Sequence, residues 1–338
     1  MSTGAVYIPI IKWQSWEQKA LEKVDDSIRP RLLPCVEVRD SSQHQNLINK
    51  LSDVWPNDVM IDYANPKGIL TPNRLIELQE FLEIAIDNSM PVIPVLGPEH
   101  ISSATPRLLD SIAKFKYIGI RLRITDLVIS TKDIDKVKTA VFTLQKSNIS
   151  HSLIIDLGTT PDEWSNEDIE KFTASLTELK SLFNIRFHLI SGAYPSSLAS
   201  VKAGVTKFER RDWRLWSEIA KRTNGLAIGY GDYGILSPEW TEEVLIRRSG
   251  SRVIRYTRDD NWLIIKSGGA TVDDSIAISE ILINLYAGDF KGESFSFGDK
   301  LLADRASPSV SKKNKKCGHY HITEAWSHHI AFVLKEQY

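Results

Sequence analysis

Eight short apolar, β-branched runs recur through about the first 235 residues, and no other feature constrains the fold as tightly. They read VYIPIIK (6–12), RLLPCVEV (31–38), DVMIDYA (58–64), MPVIPVLG (90–97), YIGIRLRI (117–124), HSLIIDLG (151–158), IRFHLIS (185–191) and GLAIGYG (225–231). Such widths suit buried strands. The segments between them have helical period and start signals. Ser15-Trp16-Glu17-Gln18 has capping-box form, with Ala20, Leu21 and Val24 on one face. Thr71-Pro72 and Thr105-Pro106 put proline at the first helical position, where its missing N–H would be unpaired anyway. Ser165 with Asp168 precedes a stripe of Ile169, Phe172, Leu176 and Leu179, and Trp213, Trp216 and Ala220 mark a helix before the eighth run.

Strand and helix units repeating at roughly 30-residue intervals build a parallel sheet. Eight repeats are what a closed (β/α)8 TIM-like barrel needs. The rival, an open doubly wound sheet, usually opens on a glycine-rich strand-to-helix turn. Here the first strand is followed by KWQSWEQ instead, so the barrel is the expected α/β fold. It is expected over residues 1–245. Residues 246–338 read as an appendage packed on it: a β-hairpin in RVIRYTRDDNWLIIKSGG (252–269), an apolar helical segment with Ile276, Ile281, Leu282 and Leu285, a mobile basic loop (311–316) and a last amphipathic segment, TEAWSHHIAFVL.

In such barrels the strands' C-terminal ends carry the active site. Seven of the eight ends offer polar groups: Lys12, Glu37 and Arg39, Asp62, Arg121 and Arg123, Asp156, Ser191 with Tyr194, and Asp232 with Tyr233. Arg121 and Arg123 alternate with Ile118, Ile120, Leu122 and Ile124. If the aliphatic face lies under helices, the arginines point into the lumen, with Gly119 beneath them leaving space. Lys12, Arg39, Arg121, Arg123, Tyr194 and Tyr233 are therefore candidate anion or ligand contacts. Glu37, Asp62, Asp156 and Asp232 are candidate bases, or ligands for a hard divalent cation such as magnesium. Each also has a structural reading: an aspartate as helix cap, Glu37 and Arg39 as an ion pair, and Arg121 and Arg123 in a network with Asp156. No phosphate-binding glycine loop or HExxH motif is present, so no cofactor is assigned. Cys317, His319, His321, His328 and His329 lack zinc-site spacing, so no metal is assigned there. Arg210, Arg211 and Arg214 beside Trp213 and Trp216 can contact nucleic acid or form a solvated helix face.

A net charge of −1 argues against a protein that coats nucleic acid. Cys35 and Cys317, in dissimilar contexts, indicate no disulfide framework. Neither a signal peptide nor an apolar run of membrane-spanning length is visible, so a soluble cytoplasmic location with no membrane partner is expected.

YIPIIKWQSWEQKAL with RPRLLPCVEV, then SGAYPSSL, RRDWRLW, GYGDYGILSP, VIRYTRDDNWLIIKSGG and AWSHHIAFVL resemble the phage and prophage "beta protein" family. These motifs run in order from residue 7 to 334. The matching positions are Lys12, Glu37, Tyr194, Pro195, Trp213, Asp232, Tyr233, Arg255, Tyr256, Trp262, His328 and His329. The resemblance implies a place in phages, satellites and prophages, in antiviral cassettes for phage exclusion where a beta protein restrains or licenses a toxic partner. It implies no reaction. Two functions are expected, the anion pocket and the hydrolase from the charged strand ends and the partner role from the resemblance. One is a partner or regulator of a toxic effector from the same cassette, with an anion-binding pocket in the barrel mouth. The other is a TIM-barrel hydrolase, metal-assisted or not, acting on a phosphorylated small molecule or nucleic acid.

Overall fold

The computed structural model describes residues 6–39, 43–65, 67–183, 185–223, 226–239 and 250–338; Gly225, which opens the eighth run, and the 245/246 boundary lie outside them. All eight runs form strands: β1 (Ile8–Ile11), β2 (Cys35–Glu37), β3 (Val59–Asp62), β4 (Val92–Leu96), β5 (Tyr117–Arg123), β6 (Ser150–Thr159), β7 (Arg186–Gly192) and, after a strand β8 (Gly204–Glu209) that stays outside, β9 (Ile228–Asp232). They are parallel, and β9 pairs with β1 to close the barrel. The protein is thus an α/β fold with a closed (β/α)8 TIM-like barrel.

The helices are α1 (Ser15–Glu22), α2 (His44–Val54), α3 (Pro72–Asp87), α4 (Pro98–Ser102), α5 (Pro106–Phe115), α6 (Thr131–Lys146), α7 (Asn166–Phe183) and α8 (Arg211–Arg222). Several begin as their sequences dictate. Thr105 Oγ1 accepts the Leu108 N–H at 3.2 Å, and the Ser165 N–H meets Asp168 Oδ2 at 2.8 Å while Ser165 Oγ accepts from the Asp168 N–H at 3.2 Å. Helix α1 differs by one residue. Glu17 takes the N–H of Gln14 at 2.8 Å, so Gln14 is the cap and Ser15 is already helical.

Two units divide the chain. The first comprises Met1–Trp13, Leu33–Gly192 and Asp212–Asp232 and contains the barrel strands; the second comprises Gln14–Leu32, Ala193–Arg211 and Tyr233–Tyr338. In the second, β10 (Val253–Thr257) and β11 (Asn261–Lys266) form the expected hairpin, and β8 joins them in an antiparallel sheet of order β10-β11-β8. Helix α9 (Val272–Glu280) runs on into a wider π turn, followed by α10 (Phe297–Ala306) and α11 (Tyr320–Phe332). Ile254, Tyr256, Leu263 and Ile265 from the sheet pack with Ile278, Leu282 and Leu302 from the helices.

Two expectations for this region are corrected. Helix α11 is not amphipathic: every residue from Thr323 to Phe332 is buried. The basic loop is tied down, because Lys315 Nζ donates to the carbonyls of Arg305 and Ser307 at 2.5 and 2.6 Å, capping the end of α10, and Lys312 pairs with Asp273. Among the described residues, no helix is long and apolar enough to cross a membrane.

Candidate functional site

Parallel pairing carries side-chain direction from strand to strand, so paired residues share a face. The register links Glu37, Asp62, Val95 and Gly119, and separately Arg123, Asp156, Ile190 and Gly231. This is the lumen face. A Cβ on Gly119 would sit 3.3, 3.3 and 3.4 Å from the side chains of Ile154, Val95 and Met60. The two arginines do point inward as their alternation predicts, but the space beneath them is filled by those aliphatic groups.

Arg121 occupies the centre of the charged layer and is fully buried. Its Nε and Nη2 both meet Asp156 Oδ2, at 2.9 and 2.7 Å; Nη1 meets Asp62 Oδ2 at 2.7 Å, and Nη2 also reaches Glu37 Oε1 at 3.0 Å. A planar guanidinium with five fixed donors can bridge three carboxylates in this way; a point-charge ammonium cannot. The carboxylates hold the strand ends as well. Asp62 Oδ1 accepts the N–H of Ala64 at 2.8 Å and Asp156 Oδ1 that of Gly158 at 2.9 Å. The network reading of these aspartates holds. The helix-cap reading does not, because these bonds close turns right after the strands, while α3 is capped by Thr71 and α7 begins at Asn166 behind Ser165.

Three further cations complete the layer. Lys12 Nζ pairs with Glu37 Oε2, which Arg39 Nη2 also meets at 2.7 Å, and Arg123 Nη2 meets Asp62 Oδ2 at 2.8 Å. Burial pushes Glu37 up, but Lys12, Arg121, Arg39 and Arg123 outweigh it and hold the carboxyl well below the usual range. Burial lowers Lys12 in spite of Glu37. Arg123 is raised: burial and Arg121 oppose its charge, and Asp62, Asp156 and Glu37 prevail. Cys35, beneath them, is pushed by burial up to about 12 and stays a thiol. The centre of the three carboxylates, where a divalent cation would bind, is filled by Arg121 itself. Among the described residues no group of three His, Cys, Asp or Glu is placed to hold a metal ion.

The remaining candidates lie elsewhere. Asp232 belongs to the face of β9 opposite to Gly229 and Gly231, where its carboxylate takes the hydroxyls of Tyr7 at 2.6 Å and Tyr230 at 2.8 Å. Tyr230 also lies 2.7 Å from Asp212 Oδ2, and Trp213 and Trp216 pack edge-on to its ring. The Tyr230 hydroxyl thus lies within hydrogen-bond reach of two carboxylates away from the lumen, with a single proton to donate to one of them. Tyr194 and Tyr233 fall in the second unit; Tyr194 stands edge-on to Trp262, with ring centroids 5.2 Å apart. Arg210 cannot face nucleic acid, because it is fully buried and donates to the Arg258 carbonyl and to Gln337. Arg214 lies over the Trp164 ring.

Two of the histidines near the C-terminus, His321 and His328, are held in buried contacts. His328 stands between Asp299 and the Thr257 carbonyl, both at 2.9 Å, stacked on Tyr256 at 3.7 Å. His321 joins Glu324 at 2.9 Å, and Arg305 pairs with the same glutamate in full burial. Sequence reasoning missed the Asp212–Tyr230 contact, Asp299 and the Arg305–Glu324 pair. No motif flags them; only an aspartate beside tryptophans in RRDWRLW hinted at the first. It also missed His100, which burial lowers and whose ring feels Glu99, Asp62 and Arg123.

A family model described as Beta protein matches residues 7–335. No curated protein matches the sequence. Solved structures that resemble the chain include the carboxyl transferase domain of Rhizobium etli pyruvate carboxylase (11% identity, 99% of this chain and 49% of that one, TM-score 0.40). Others are a chitinase from Chromobacterium violaceum (11%, 84% and 92%, TM-score 0.33) and the enoyl reductase domain of MlnA from Bacillus amyloliquefaciens (10%, 98% and 83%, TM-score 0.38). The chain spans about half the length of the carboxyl transferase structure. At such TM-scores these likenesses carry no argument about function.

Proposed function

The chain belongs to the Beta protein family, and from that premise we propose that it is a partner or regulator of a toxic effector in a prophage or mobile-element anti-phage defence cassette, with an anion-binding pocket at the barrel mouth. The observation that carries the pocket is the charge balance of the lumen layer. Lys12, Arg39, Arg121 and Arg123 face Glu37, Asp62 and Asp156, leaving cations in excess. Arg121 is consumed by the carboxylates. Arg123 and Arg39 keep 15% and 22% side-chain exposure, while Arg123 Nε is buried and faces Asp156 Oδ2 at 3.7 Å. A bound anion, whether a small molecule or a nucleic-acid phosphate, would balance that charge against the exposed parts of the two guanidinium groups.

Binding suits this layer better than hydrolysis. A general base has to be proton-hungry near neutral pH, whereas Glu37 is held far below that range and every carboxylate is bonded to Arg121. The test uses Arg39→Gln/Arg123→Gln. Calorimetric titration with inorganic sulfate and with a mononucleotide reads the pocket; co-expression and co-purification with the products of adjacent genes read the partner. The double variant is expected to fold, to lose anion binding and to stop restraining the toxic partner. Unchanged binding and unchanged restraint would sink the proposal.

A further inference from the structure

Strand alternation gives the sheet of the second unit two faces. Ile254, Tyr256, Leu263 and Ile265 turn to the helices. Arg255 of β10 turns the other way, opposite Ile264 and diagonal to Trp262 and Lys266 of β11. The segment that precedes β8 lies over that face. Tyr194 stands edge-on to Trp262, and Lys266 Nζ donates to the Leu198 and Val201 carbonyls at 2.8 and 2.7 Å.

Donors gather there without acceptors. Arg255 and Lys266 carry two positive charges, and among the described residues neither meets a carboxylate. Tyr194 is 6% exposed and Trp262 0%, yet no acceptor for the Tyr194 O–H or the Trp262 Nε1–H is present among the described residues. Burial pushes the Tyr194 phenol up while the adjacent Arg255 guanidinium pulls it down, so that charge stands beside the hydroxyl. A guanidinium only donates and leaves the phenol proton without a destination. Buried donors left unmet are costly, and so is charge without a counter-ion. The group that completes such a site is an anion. Two cations balance a dianion, and a phosphoryl group offers three oxygens to a planar fork, a phenol and an indole N–H. A carboxylate brings one charge and two oxygens, and leaves a cation over. Arg255 and Lys266 are half-buried, so the ligand enters from their solvent side. We infer that Arg255, Tyr194, Trp262 and Lys266 form a phosphoryl-binding site, made of residues other than those of the barrel mouth, for inorganic phosphate or a small phosphomonoester.

Calorimetric titration with inorganic phosphate and with adenosine monophosphate tests it, in the full-length Arg39→Gln/Arg123→Gln protein so that the barrel-mouth cations do not contribute. Phosphate is expected to bind. Adding Arg255→Gln removes the charge and the fork and lowers affinity on the order of a hundredfold. Adding Tyr194→Phe deletes one hydroxyl and lowers it on the order of tenfold. Circular dichroism confirms that each variant is folded, and the conservative Tyr194→Phe decides the matter if Arg255→Gln is not. Phosphate binding at least as tightly as the mononucleotide assigns the site to free phosphate; a tighter mononucleotide assigns it to a phosphomonoester. The absence of binding of either ligand at millimolar concentration overturns the inference, as does binding that Arg255→Gln and Tyr194→Phe leave unchanged.

Discussion

Two nitrogens of Arg121, Nε and Nη2, converge on the single Oδ2 atom of Asp156, at 2.9 and 2.7 Å, inside a barrel where neither side chain is more than 1% exposed. The contact spans neighbouring strands, but the same guanidinium also reaches Asp62 and Glu37 on β3 and β2. Arg121 therefore acts as a crosspiece over half the barrel. Its removal leaves three carboxylates facing one another. Arg121→Met is expected to destabilise by about 3–5 kcal/mol, the usual cost of stranding a buried charge. Arg121→Lys recovers only part of this, since one ammonium cannot bridge three strands. The midpoint of urea unfolding checks both.

Arg123 and Arg39 lie at the exposed side of the same layer. Arg123→Gln should cost about 1 kcal/mol or less, a value typical of partly solvated pairs. Sulfate binding by calorimetry should nevertheless fall at least tenfold. A variant that loses stability as Arg121→Met does, with sulfate affinity intact, would place Arg123 in the structural network only.

Acid should unfold the protein in two stages. Burial lowers His188 from 6.5 to about 4, so the unfolded chain binds that proton more tightly than the folded one. Its contribution is complete above pH 6.5 and lost as pH falls towards 4, on the order of 3 kcal/mol. Burial raises Glu324, but Arg305 and His321 prevail and bring it from 4.5 to about 2, so its contribution is present above pH 4.5 and lost as pH falls towards 2. Unfolding free energies measured from pH 8 to pH 3 should show the first loss in wild type and not in His188→Gln.

Helix α10 lies close to α11 at Gly298, where a Cβ would stand 2.1 Å from the Glu324 carbonyl oxygen. That obstacle is backbone inside a packed helix and cannot swing aside. Gly298→Ala is expected to cost about 1–3 kcal/mol through overpacking. Gly268→Ala, with nothing within 4 Å of the new methyl, should be close to neutral. Thermal melts of the two variants compare them directly.

Much of the fold was legible because its signals are local. Apolar runs of strand width, helical stripes and Thr-Pro starts each act within a few residues, and repeating them eight times leaves few architectures. The inward aim of Arg121 and Arg123 followed from strand alternation as soon as the barrel was accepted. The same alternation misplaced Asp232: a strand end offers two faces, and Asp232 belongs to the face that carries Tyr230. Lys12, Glu37, Arg39, Asp62, Arg121, Arg123 and Asp156, all read from strand ends, are brought together in one layer. Tyr194 and Tyr233 belong to the second unit.

By itself, then, the sequence determined the barrel, its strand order and which residue types crowd the strand ends, because these depend on periodicity and short-range capping. Only the tertiary structure decided that Arg121 meets Glu37 across 84 residues of chain, that Gln14–Leu32 and Ala193–Arg211 join the second unit, and that β8 pairs with β11 instead of entering the barrel. Those outcomes follow from strand register and pleat parity. Both are settled when the barrel closes and the sheet zips, through contacts that no local pattern encodes.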